Sequence, residues 1–283
     1  MQNYTYEALN DHIYRIKDAF GVAMYLVIGR ERTALIDTGY GLTGLRELVE
    51  SLTSLPVTVL LTHGHIDHAL GIFEFDDPYM NLLDEETFAT HSDWNYRVQF
   101  LHDKGYEPED FSFQRVRPVC FHPIEDGQVF DLGGLHLKAY YAPGHTKGMT
   151  MFLFVEDRIM LFGDACGPNT MIMEDCSGQL SDYYKSLLVV KAHENEYDRI
   201  IRNHGTCESP KELLDSVMSI CKRILDGTDA RCLLPDTMQR MFISKLDPVP
   251  LSYSARAMRV VGEEVIFADD LPEGNINYRI DKV

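Results

Sequence analysis

Apolar residues recur along this chain with two different periods. Residues 13–16, 23–28 and 33–36 are short runs rich in β-branched or aromatic side chains, bounded by polar breaks, and predict strands. Leu42, Leu45, Leu48, Val49 and Leu52 then fall at helical spacing, with Pro56 after them, so a helix is expected over 42–52. Residues 57–61 predict a buried strand. A second strand cluster follows at 135–141, 149–155 and 158–162. Two further helices are expected. One covers 181–192 and is capped by Ser181. The other opens on the capping-box sequence Ser209-Pro210-Lys211-Glu212, runs through Leu213, Leu214, Val217, Met218, Cys221 and Leu225, and stops at Gly227.

The pattern is less regular in two places. Residues 72–118 form an aromatic-rich insertion, with Phe73, Phe75, Tyr79, Phe88, Trp94, Tyr96, Phe100, Tyr106, Phe111 and Phe113, and with helix-like runs at 84–90 and 93–102. It could wall a pocket or act as a lid, or its rings could pack against the rest of the domain or a second copy. The tail from 229 is broken by Pro235, Pro248 and Pro250, then offers a hairpin over 258–261 and 264–267. Strands and helices alternate throughout, and 283 residues with 45% hydrophobic content suffice for one large α/β domain. That gives a domain over 1–228 with an extension, 229–283, packed upon it.

Chemistry concentrates at strand ends. His63, His65, Asp67 and His68 lie within six positions, directly after the 57–61 strand. A loop at a strand end can turn three imidazoles and a carboxylate toward one point, and these ligands suit zinc, iron or manganese. His145, Asp164 and His204 follow, each beside a glycine and after another strand-like run. The other six histidines (12, 91, 102, 122, 136 and 193) lack such a setting and are read as surface or packing residues.

This succession, H-x-H-x-D-H and then Gly-His-Thr, Gly-Asp and His-Gly, resembles the signature of the metallo-β-lactamase superfamily, including its glyoxalase II-like and lactonase-like binuclear hydrolases. The resemblance covers roughly 12–227. It implies a four-layer αββα sandwich with the site at one edge. It also implies two divalent ions, zinc first, with iron or manganese as options. His63, His65 and His145 would hold one ion, and Asp67, His68 and His204 the other. Asp164 would bridge them beside a bridging hydroxide. Asp37, in Ile36-Asp37-Thr38-Gly39, would orient the ligand loop, unless it is only a turn former. Asp67 could pass a proton to the leaving group. Lys147, Tyr183 and Tyr184 are candidate substrate contacts.

The formal net charge of −18 disfavours nucleic acid and anionic membrane as partners. The six cysteines make no C-x-x-C pair and read as reduced thiols, with Cys166 and Cys207 nearest to ligands in sequence. No signal-like segment or membrane-length apolar run is present, which points to a cytoplasmic location. The expected partner is a small molecule, with a homodimer possible through the insertion or the tail. The expected activity is hydrolysis of an ester, thioester or lactone. Other readings with the same ligand letters are a mononuclear iron persulfide dioxygenase, a phosphodiesterase, a flavodiiron-like redox domain, and a non-enzymatic binding domain.

Overall fold

The computed structural model describes residues 3–235, 250–256 and 274–283, and the backbone of 258–261 and 264–267. Two sheets lie face to face. The first has seven strands in sequential order: β1 (Tyr4–Ala8), β2 (Ile13–Asp18), β3 (Ala23–Ile28), β4 (Thr33–Ile36), β5 (Val57–Leu60), β6 (Tyr79–Met80) and β7 (His122–Pro123). The second runs β14 (Glu208–Ser209), β13 (Arg199–Ile201), β11 (Ile159–Leu161), β10 (Thr150–Phe154), β9 (His136–Tyr141) and β8 (Val129–Asp131).

Period-2 alternation builds the layers. Tyr25, Val27, Ala34, Ile36 and Leu60 point from the first sheet into a shared core with Ala139, Phe152, Phe154, Ile159, Leu161 and Ile201 of the second. The intervening residues point outward. Met24, Leu26, Leu35 and Val59 meet Leu45 and Val49 of α1 (Leu45–Leu52) and the aromatics of the insertion. Met151, Leu153, Met160 and Phe162 meet α5 (Leu180–Ala192) and α6 (Leu213–Leu225). Helix, sheet, sheet and helix are therefore stacked as expected.

The insertion carries α3 (Glu85–Ser92) and α4 (Trp94–Asp103), the latter capped by Asp93. Phe73, Phe75, Phe88, Tyr96 and Phe100 pack into the outer core, whereas Trp94 and Tyr106 remain exposed. In the tail, β15 (Cys232–Leu233), β16 (Ser252–Ser254) and β19 (Ile276–Arg279) form a small sheet with β12 (Thr170–Ile172), so the extension is hydrogen-bonded to the main domain. The expected hairpin is present as β17 (Met258–Val261) and β18 (Glu264–Phe267); its turn, 262–263, lies outside the described residues.

Three local expectations fail for physical reasons. The first helix starts at Leu45 and not Leu42, because Gly44 is left-handed (φ 96°) and Leu42 bridges to Phe113. Ser181 is no cap: α5 already begins at Leu180, after Gln179. Ser209 caps nothing, since it pairs with Ile200 and its hydroxyl accepts from Arg202 Nε at 2.8 Å. Strand β1 was not foreseen. It is an edge strand with four of five residues exposed, so it carries no burial signal.

Phe152 is fully buried between the sheets. Phe152→Ala is expected to lower unfolding free energy by about 3–5 kcal/mol in a urea titration, with the far-UV signal of the native state retained.

Candidate functional site

The segment after β5 leaves the sheet edge as a loop through His65 and then turns into a one-turn helix, α2 (Ile66–Ala69), which carries Asp67 and His68 where a loop was expected; Asp37 holds it from below. That residue sits just past β4 in a left-handed conformation (φ 61°), which turns its carboxylate under the loop. The carboxylate accepts from Thr62 N (2.8 Å), Thr62 Oγ1 (2.8 Å), His68 Nδ1 (2.9 Å) and Asn203 Nδ2 (2.9 Å). A carboxylate can only accept here, so His68 carries a proton on Nδ1 and turns Nε2 inward. Asp37 thus has the orienting contacts expected of it.

Three of the other rings have contacts of their own outside the cluster. His63 Nδ1 lies 2.9 Å from Thr62 Oγ1, whose hydroxyl donates to Asp37. His145 Nδ1 donates to the Met171 carbonyl at 2.8 Å. His65 turns its Nε2 toward Cys176 Sγ at 3.3 Å. The remaining nitrogens converge. His65 Nδ1 and His145 Nε2 are 3.0 Å apart, and His68 Nε2 and His204 Nε2 are 3.2 Å apart. Asp164 Oδ2 lies between, 3.7 Å from His68 Nε2, 3.7 Å from His145 Nε2 and 3.3 Å from His204 Nε2. Asp67 Oδ2 is 3.4 Å from His204 Nε2.

The seven residues named from the sequence therefore meet at one place. Within them, His63, His65 and His145 form one trio of donor atoms and Asp67, His68 and His204 another, while Asp164 groups with His63 and His68.

This donor set fits divalent cations. His63 Nε2 is buried and has no hydrogen-bond partner, an arrangement that is costly unless something else satisfies it. Burial, followed by the neighbouring imidazoles, holds His63 and His65 well below the ordinary histidine pKa, so both are neutral imidazoles at physiological pH. Burial also opposes charge on His68, but Asp67, Asp164 and Asp37 outweigh it and raise its pKa well above the usual value. Asp164 is likewise held well below its ordinary range: His204 and His68 overcome the effect of burial. Where no cation is present, protons are drawn to the position a cation would neutralise.

The cluster forms the base of a pocket of about 450 Å³. Ile66, Phe100, Pro168 and Met171 give it apolar walls, and His91, Lys104, Glu174, Arg202 and Thr206 add polar groups. The proposed substrate contacts are placed elsewhere. Tyr183 is fully buried and donates its hydroxyl to the Ala165 carbonyl at 2.7 Å. Tyr184 packs against the α5–α6 core. Lys147 is exposed and does not line the pocket, whereas Lys104 of the insertion does. Cys166 and Cys207 are buried packing residues, and Cys176 is the thiol beside a ligand.

Four contributors were missed: Asp84, His91, Glu174 and Cys176. None sits in a motif, and the one signal for Asp84 was its place at the start of a helix-like run. Its fully buried carboxylate accepts from Gly64 N (3.1 Å), Thr146 Oγ1 (2.7 Å) and Gly148 N (2.7 Å). It thereby ties the His63–His65 backbone to the loop of His145.

The model of the metallo-beta-lactamase superfamily matches residues 18–201, well over half of the chain. The chain belongs to the metallo-beta-lactamase superfamily. It is similar to the human acyl-coenzyme A thioesterase MBLAC2, with 29% identity over 79% of this chain and 80% of that protein. A fungal atrochrysone carboxyl ACP thioesterase from Cryptosporiopsis sp. is 30% identical over 61% of this chain and 46% of its own length. A probable polyketide biosynthesis zinc-dependent hydrolase, BaeB from Bacillus velezensis, is 24% identical over 69% of this chain and 77% of that protein. Among solved structures, the metallo-beta-lactamase IND-7 superposes with a TM-score of 0.57 at 16% identity, covering 78% of this chain and 99% of that one, a likeness of fold. The chain is thus a metal-binding hydrolase of the superfamily. No helix among the described residues is long and apolar enough to cross a membrane.

Asp84→Asn places an amide NH2 against donors that all require an acceptor. It is expected to lower zinc affinity in a chelator competition by roughly 10–100-fold, the usual effect of losing an outer support. The metal-free protein should also lose about 1–3 kcal/mol in urea.

Proposed function

We propose that this chain hydrolyses acyl thioesters with two divalent ions, zinc being the first choice. The observation that carries the reading is the seven-residue donor cluster at the base of a pocket with apolar walls. The names of the relatives, acyl-coenzyme A and ACP thioesterases and a zinc-dependent hydrolase, support the thioester and the metal.

His63, His65 and His145 would hold the first ion, and Asp67, His68 and His204 the second, with Asp164 shared between them. When bound, such ions supply an activated water and stabilise negative charge on the carbonyl oxygen. The chain's own residues do the rest. Ile66, Phe100 and Met171 receive the acyl group and exclude water from it. Asp67, whose side chain is 17% exposed, faces the pocket and can take a proton from the attacking water and return it to the departing sulfur. A thiol of pKa about 8.5 leaves as thiolate with little help, so the site needs no strong general acid. Lys104, exposed at the pocket wall, attracts an anionic group on the carrier half of the substrate.

The test is to strip the protein with chelator, reload it with zinc or manganese, and follow free thiol release from a panel of acyl thioesters beside esters and lactones. Thioester turnover is expected. His65→Ala should lose more than the roughly 10–100-fold typical of outer supports. Absence of turnover by the loaded protein, or a single iron with oxygen uptake, overturns the reading. Lys104→Ala should raise KM for anionic thioesters by up to about fivefold, the value of an exposed ion pair of at most about 1 kcal/mol, with kcat unchanged.

A further inference from the structure

One side of the ligand cluster has a second layer. The rings of His65 and His91 stack, with centroids 4.7 Å apart and an interplanar angle of 9°. Both turn Nε2 toward Glu174: His65 Nε2 is 3.6 Å from Oε1, and His91 Nε2 is 3.5 Å from Oε2. Cys176 Sγ lies 3.3 Å from His65 Nε2 and 3.9 Å from Glu174 Oε2. His65, His91 and Glu174 line the pocket, and Glu174 is 8% exposed.

The protons can be assigned from the partners. The backbone N–H of Ile66 donates to His91 Nδ1 at 3.2 Å, so the proton of neutral His91 is on Nε2 and faces Glu174. His65 Nδ1 faces the ligand cluster, so its proton is also on Nε2, facing Cys176 and Glu174. Two N–H groups thus converge on one buried carboxylate. A cation at this point would have to displace the His91 proton or break the Ile66 bond, which makes the cluster a polar cradle for the two rings and not a further metal site.

The segment bearing Glu174 and Cys176 is itself fixed. Glu174 N donates to Ser177 Oγ (3.2 Å), and Ser177 Oγ donates to the His145 carbonyl (2.8 Å). The tail holds the same segment through Lys282 Nζ to the Ser177 carbonyl (2.9 Å) and Arg279 Nη1 to Asp175 Oδ1 (2.7 Å).

We propose that Glu174 is a positioning residue for His65: with Cys176 and the stacked His91, it fixes the ring so that Nδ1 addresses the ion held with His63 and His145. Its partly negative environment also raises the basicity of His65 as a ligand. The proposal rests on His65 being an ion ligand, as in the function put forward above.

Metal-free wild type, Glu174→Gln, Glu174→Asp and His65→Ala are titrated with zinc against a chromophoric chelator, and with cobalt for the visible absorption of the bound ion. The expected result is a roughly 10–100-fold loss of affinity for one equivalent of zinc in Glu174→Gln, with shifted cobalt bands and partial rescue by Glu174→Asp. The urea midpoint of the metal-free variant should stay that of wild type. Nitrogen-15 NMR of zinc-loaded wild type gives a reading without any variant: His65 should be protonated at Nε2. Wild-type zinc affinity and cobalt spectrum in Glu174→Gln overturn the proposal, as does a His65 lacking the Nε2 proton. A third zinc equivalent that disappears in Glu174→Gln also overturns it and gives the cradle to a cation. If His65→Ala keeps full affinity, the ligand assignment itself fails, separately from the role of Glu174.

Discussion

The buried carboxylate of Asp37 is the constraint on which the rest of the site depends. It takes four hydrogen bonds from Thr62, His68 and Asn203 with no exposure to solvent. Thr62 belongs to the loop after β5 of the first sheet and His68 to the one-turn helix α2 that follows it, while Asn203 follows β13 of the second and precedes His204. One side chain thus joins both halves of the sandwich where the ligands must meet. A buried charge is tolerable only when so fully paired, and that requirement fixes the tautomer of His68 and, through Thr62, that of His63.

Asp84 and Glu174 apply the same logic on other sides. Asp84 belongs to the insertion and binds backbone beside His63, His65 and His145. Glu174 lies in a segment that the C-terminal strand and its last residues hold in place. The insertion, which seemed an addition to a minimal sandwich, brings one carboxylate to this layer, and the tail holds the main-domain segment that brings another. The insertion also supplies Phe100 and Lys104 to the pocket, so it serves as packing and as wall at once.

Strand and helix positions were legible because each buried strand alternates between two cores and each helix presents one stripe. The signal failed where burial was absent, as in β1, and where a side chain had a better partner than a helix end, as with Ser209 and Arg202. The ligands were legible because metal chemistry restricts residue type and places it at strand ends. Lys147, Tyr183 and Tyr184 were chosen for nearness in sequence to ligands. Side-chain direction instead sends Tyr183 into the core and leaves Lys147 outside the pocket.

By itself the sequence determined the layer order, the superfamily and the seven residues that converge, since periodicity and ligand chemistry are local properties. Asp37 was legible too, from its Asp-Thr-Gly setting; only the tertiary structure decided what else holds the cluster. Asp84 and Glu174 stand 20 and 109 positions from the residues they contact, Gly64 and His65. A carboxylate that orients an imidazole needs no motif of its own; it needs only to be brought within a few ångströms, and folding alone does that.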